Sequence, residues 1–276
     1  MTITFEWTPS ADTGGAGTKE YQIQISTDIN FGAIYYSTIT SLINQATTLG
    51  QATYWWQVRA RDYAGNISDW SSPFSVLIDT TPPEVPELLA PINGAATNQM
   101  TITFEWNPAI DTGGSGTKNY QLEVSTSPGF GIINYSTLTV QLNYTTAIAQ
   151  ATYYWHVKSY DYAGSSGSWS PSWTLLVDTT PPEVPELLAP INGAATNYML
   201  VTFVWSAAMD SGGAGIKEYQ LWVSTDPSFV QLNYSTTTVQ INLDATFTLG
   251  QATYYWQVRA EDYAGNIGDW TSPLVF

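Results

Sequence analysis

Carboxylates are the groups in this sequence best placed to do chemistry, and they recur at fixed positions. Asp12, Asp111 and Asp210 each stand two residues before the first glycine of a Gly-Gly pair. Asp62, Asp161 and Asp262 each open a DYAG turn. Asp79 and Asp178 each begin a DTTPPEV linker that also carries Glu84 and Glu183. Loop carboxylates of this kind can ligate Ca²⁺, which takes several oxygens in flexible geometry. The linker set Asp79, Glu84, Asp178 and Glu183 is the expected place for such an ion. A conformational role competes with this, because aspartate favours turns through a bond from its side chain to the backbone. The dense DxDxD run of a dedicated calcium loop is absent.

Other chemistries are excluded or unsupported. There is no cysteine, which removes disulfides, thiolate metal sites and cysteine catalysis. The single histidine, His156, aligns with Gln57 and Gln257 and is expected to point outward without a catalytic role. General acid–base work needs a positioned partner, and no Ser-His-Asp set or carboxylate pair stands out. The GGxG segments have no following helix and read as turns, not phosphate loops. The chain is therefore read as no enzyme and as carrying no catalytic residue.

Cations and aromatics repeat together. All seven Lys and Arg residues occupy repeat positions, among them Arg59, Lys158 and Arg259. Trp70, Trp169 and Trp270 follow in SDWSSP, SWSPSW and GDWTSP, segments similar to the Trp-Ser motif of cytokine-receptor modules. A cation over an indole face contributes about 0.5–1 kcal/mol when exposed, so a stiffening ladder and a ligand face both fit. Trp55, Tyr154 and Tyr255 share an outward position, and Trp222 replaces Gln24 and Glu123. The candidate contact face is thus Trp55, Tyr154, Trp222 and Tyr255 with Arg59, Trp70, Arg259 and Trp270. Four N-x-S/T sequons, at Asn66, Asn134, Asn143 and Asn233, are candidate glycosylation sites.

The elements that must position these residues come from a threefold repeat. Trp7, Trp106 and Trp205 are 99 residues apart, in TITFEW, TITFEW and LVTFVW. DYAG begins at 62, 161 and 262, so the third copy has two extra residues between Tyr234 and Gln251. The stretch DTTPPEVPELLAPINGAATN occurs unchanged at 79–98 and 178–197. Within each copy apolar and polar residues alternate, as in Tyr21, Ile23 and Ile25 against Gln22, Gln24 and Ser26. That is the period of a half-buried strand, and no helical period appears. The fold class expected is all-β: three tandem antiparallel β-sandwiches, at 1–81, 82–180 and 181–276. Trp7, Trp106 and Trp205 are expected between the sheets. By register, Met1 matches Met100 and Met199, so the first copy is expected to lack its first strand. The third is expected to be truncated in its last strand. The chain then reads as an interior piece of a longer array, with end-to-end association expected.

Each copy resembles a fibronectin type III module, or the similar Ig-like modules of bacterial and archaeal surface proteins. The resemblance rests on the Pro-rich PELLAPING, on Trp106 and Tyr120, on the Leu49-to-Tyr54 corner and on the WQVRA that follows it. VSTSPGF at 124–130 and DYAGNISDWS at 62–71 are similar to the microbial branch. The resemblance covers the whole chain and implies an extracellular, cell-surface structural repeat: a stalk, an adhesin spacer, or a filament or sheath subunit. The alternative is a carbohydrate- or protein-binding array accessory to a secreted enzyme. Expected partners are copies of itself, further modules of the same chain, or glycans. Acidic residues outnumber basic ones 23 to 7, a net charge of -16, which argues against nucleic acid and anionic membrane surfaces. No apolar run is long enough to insert in a membrane.

Overall fold

Alternating side chains and frequent Gly, Pro and Asx breaks leave this sequence little option but short strands. A computed structural model describes residues 1–197, 200–244 and 250–276, and every regular element in them is a strand. Among the described residues no helix is long and apolar enough to cross a membrane. Met199 lies outside the described residues. Asn143 and Asn242 are still 99 apart, so the two extra residues follow Asn242, in a stretch that includes the undescribed 245–249.

The first copy has β1 (Thr2–Glu6), β2 (Thr18–Ser26), β3 (Ile34–Thr40), β4 (Asn44–Thr48), β5 (Ala52–Asp62) and β6 (Phe74–Ile78). The second has β7 (Leu88–Ala90), β8 (Ala95–Thr97), β9 (Thr101–Trp106), β10 (Thr117–Ser125), β11 (Ile133–Thr139), β12 (Asn143–Ala147), β13 (Ala151–Asp161) and β14 (Trp173–Val177). The third has β15 (Leu187–Ala189), β16 (Thr202–Trp205), β17 (Ile216–Ser224), β18 (Tyr234–Thr238), β19 (Asn242–Asp244), β20 (Tyr255–Asp262) and β21 (Leu274–Val275).

Each copy is a two-sheet sandwich. The larger sheets run β3-β2-β5-β6, β11-β10-β13-β14-β8 and β18-β17-β20-β21; the smaller run β1-β4, β7-β9-β12 and β15-β16-β19. β14 takes β8 in parallel, Leu176 opposite Ala96, whereas pairs such as β2 with β5, β9 with β12 and β17 with β20 are antiparallel. In the first sandwich Phe5, Tyr21, Ile23, Ile25, Leu49, Tyr54, Val58 and Ile78 form the core. Phe203, Trp205, Tyr219, Leu221, Val223, Trp256 and Val258 do so in the third. The inward set is the one the alternation selects.

The three repeat tryptophans are not equally buried. Trp106 and Trp205 are 1% and 0% exposed, each opposite a short strand, with Leu88 paired to Trp106 and Leu187 to Trp205. Trp7 is half-exposed, contrary to the expectation, because β1 pairs with β4 alone in the first sandwich.

The chain packs as two compact units, 1–86 with 108–120 and 158–169, and 87–107 with 121–157 and 170–276. Each unit contains one copy of the linker arrangement described next.

Candidate functional site

In the first unit the linker leaves β6 at Ile78 and turns at Asp79, whose Oδ1 accepts the Thr81 amide at 3.0 Å. Its Oδ2 accepts the Ser115 amide at 3.0 Å, from the loop after β9. The hydrogen bonding from Ser115 holds the Asp79 carboxyl below the usual aspartate range, against the upward push of burial. Asp111 closes that loop upon itself: Oδ1 accepts Gly113 N at 2.9 Å, and Oδ2 accepts Gly116 N and Ser115 Oγ. Asp161, at the end of β13, accepts the Ser165 amide on Oδ1 at 2.7 Å. One carboxylate oxygen from each of Asp79, Asp111 and Asp161 lies within 4.8 Å of the other two.

The linker continues in contact. Glu84 N donates to Ile110 O at 2.8 Å, and Ser159 Oγ donates to Glu84 O at 2.9 Å. Thr81 Oγ1 donates to Gln51 Oε1 at 2.6 Å. Two glycines make room for it. A Cβ on Gly113 would meet Asp79 Oδ1 at 1.8 Å, and one on Gly167 would meet the Pro83 carbonyl at 2.6 Å. The sequence carries a trace of this: the column of Gly167 and Gly268 holds Ser68 in the first copy.

The second unit repeats the device with Asp178, Asp210 and Asp262, again within 4.8 Å. Asp178 Oδ2 accepts Ala214 N at 2.9 Å, and a Cβ on Gly212 would meet Asp178 Oδ1 at 1.9 Å. Here Asn266 bridges the parts. Its Nδ2 lies 2.8 Å from both Asp262 Oδ2 and the Asp178 carbonyl, donating to each.

The acidic grouping differs from the linker pairs expected. Glu84 and Glu183 are exposed and join neither cluster. Asp79 and Asp178 gather instead with the pre-glycine and DYAG aspartates. Folding brings loops from one end of a sandwich to the linker that enters it, and sequence neighbours do not have that reach.

The contact-face residues fall into ladders. The Arg59 guanidinium sits 4.4 Å over Trp70, Lys158 Nζ 4.6 Å over Trp169, and Arg259 4.5 Å over Trp270. Arg59 and Arg259 also donate to Gln22 and Gln220 on the neighbouring strand. Trp222 packs on Trp270, with centroids 4.2 Å apart, so its ring is used within its own sandwich. Trp55, Tyr154 and Tyr255 are half-buried. Substituting Arg259→Ala should destabilise the third sandwich by about 0.5–1 kcal/mol. Urea unfolding checks this, and an unchanged midpoint would reduce the ladder to surface decoration.

His156 does not point into solvent as expected. Its ring stacks on Phe130 at 3.6 Å and 3°, and Nε2 lies 3.2 Å from Glu123 Oε2. Phe130 belongs to the VSTSPGF turn and has a φ of 55°, which swings the turn's ring over an otherwise outward strand position. The matching Phe31 and Phe229 at the same offset were the available signal. The four sequon asparagines are exposed. Asn66 already donates its amide nitrogen to Asp62 Oδ2, whereas Asn134 and Asn233 are held by their carbonyl oxygens.

No family model matches the chain. In sequence it is 31% identical over 96% of its length to Exoglucanase B of Cellulomonas fimi, and 32% identical over 98% to Endoglucanase B of the same organism. It spans 23% and 25% of those two proteins, about a quarter of each. Among solved structures, the FN1-FN3 domains of chicken CNTN1 align with all of it at 15% identity and a TM-score of 0.42, covering 93% of that chain. The fibronectin(III)-like modules of Clostridium thermocellum CbhA align with 69% of it at 14% identity and a TM-score of 0.43, covering 92% of that chain. By its own strands and sheets, the chain is a tandem array of three fibronectin type III-like β-sandwiches.

Proposed function

We propose that this chain is a non-catalytic spacer within a larger extracellular microbial protein, holding flanking parts at a set separation. The observation that carries this is the seated linker. Asp79 is hydrogen-bonded to the next sandwich's loop and packed on a glycine that leaves no room for a side chain. A freely jointed tether would need neither. Stalk, adhesin spacer and filament or sheath subunit are forms of the same role, and glycans on Asn134 or Asn233 are compatible with all of them. Similarity to parts of proteins named as glucanases supports an extracellular setting, where polymeric glucans are met. Limited proteolysis with a nonspecific protease tests the reading. The linkers 79–86 and 178–185 should resist cleavage as long as the strands do. Early cutting at both would remove the spacer argument.

A second reading, an accessory array that binds glycan or protein, is favoured by one feature. The DYAG tyrosines Tyr63, Tyr162 and Tyr263 are exposed in every copy, at 71%, 68% and 64%. Repeated exposed rings are what stacking on a sugar requires. Co-sedimentation with insoluble cellulose decides between the two. Binding that is lost on changing all three tyrosines to alanine supports the second reading, and no binding leaves the spacer.

A further inference from the structure

We propose that the cluster of Asp79, Asp111 and Asp161 binds one Ca²⁺ ion, and that its counterpart at Asp178, Asp210 and Asp262 binds it far more weakly. Three carboxylates from three separate segments meet in the first unit, and no Lys, Arg or His is ion-paired with them among the described residues. Asp79 and Asp161 are buried. Like charges gathered away from water repel unless a cation joins them.

Backbone amides satisfy most of these oxygens, and the exception points to a ligand. Asp161 is 1% exposed, its Oδ1 accepts the Ser165 amide, and its Oδ2 is buried with no hydrogen-bond partner among the described residues. The equivalent oxygens are not left this way. Asp62 Oδ2 accepts Asn66 Nδ2, and Asp262 Oδ2 accepts Asn266 Nδ2, both at 2.8 Å. The cause is one residue: the second copy has Ser165 where the others have asparagine. In the Asp178 cluster the asparagine amide fills the oxygen and ties it to the linker carbonyl. In the Asp79 cluster the oxygen is open.

The donor set, carboxylate oxygens on loops, suits a hard cation with flexible coordination. Two oxygens on one ion lie no further apart than twice the metal–oxygen distance. That is about 4.6–5.2 Å for Ca²⁺ and about 4.2 Å for Mg²⁺. The three oxygens lie within 4.8 Å of one another, inside the reach of one Ca²⁺ ion, and loop carboxylates whose remaining coordination water can complete suit its flexible geometry. The inference does not depend on the spacer reading.

The test is calorimetric titration of the chelator-treated full chain with CaCl₂ alone. One site is expected, with a dissociation constant of about 0.1–1 mM, the range of extracellular modules, and weaker binding of MgCl₂. Asp161→Asn should abolish the site. Ser165→Asn, which installs the residue both other copies carry, should weaken Ca²⁺ binding by about tenfold or more. If Asp161→Asn does not fold, Ser165→Asn alone decides. No calcium binding in the millimolar range, two sites of equal affinity, or unaltered binding by Ser165→Asn would each overturn the proposal.

Discussion

Replacing Trp106 with alanine should lower the stability of the second sandwich by about 3–5 kcal/mol, the cost of removing a large aromatic from a packed core. The indole is 1% exposed. It ends β9 and faces Leu88 across the small sheet. On the same buried face of the strand, Phe104 meets Trp155 edge-on with centroids 5.1 Å apart, so the indole belongs to a core built of large rings. Differential scanning calorimetry should show one transition moving well below the others, since about 4–8 °C accompanies each kcal/mol in a domain of this size. The matched change Trp7→Ala should cost less, because Trp7 is already half-exposed. Equal effects at the two positions, or a loss under about 1 kcal/mol at Trp106, would contradict the packing described.

The linker contacts predict a second large effect, at residues with no side chain to lose. Gly113→Ala should disrupt the docking of Asp79 and destabilise it by about 1–3 kcal/mol, the usual range for overpacking. Its Cβ would lie 1.8 Å from Asp79 Oδ1, so the carboxylate must leave and take its bond to Ser115 with it. Gly167→Ala should be at least as harmful, because the obstacle is the Pro83 carbonyl, a backbone atom that cannot rotate aside. Gly14→Ala is the control, since its Cβ meets just the Asp12 carboxylate, at 3.1 Å. Protease cleavage within 79–86 should quicken in the first two variants and not in the third. If all three behave alike, the linker is not held by these glycines.

Strand faces were the most legible part of the sequence. Ile23 and Ile25 are fully buried because period-two alternation leaves one face apolar, and that reading needs no tertiary knowledge. Trp7 was misplaced because burial depends on which strand lies alongside, and the TITFEW motif is the same whether or not one does. The aspartate clusters were half legible. All six residues stood out as repeat carboxylates, but the linker aspartates were paired with Glu84 and Glu183 by chain proximity. The partners come from loops far along the chain, and what brings them together is the sandwich's end, not its sequence spacing. His156 was misjudged for a related reason: alternation gives a strand's face, whereas a Phe in a distant hairpin turn decides whether that face is covered.

The block repeated without change between copies starts at Asp79 and at Asp178, the residues that seat in the sandwich that follows. A duplication running from one such aspartate to the next carries a plug at one end and, in its own Gly-Gly loop, the socket that this plug enters. Copies of this kind are interchangeable in order. An array can gain or lose whole units by recombination and still present every joint with a matching pair. A cut placed a few residues later, after the Thr-Thr, would strand the aspartate on the wrong fragment and leave the next loop without it.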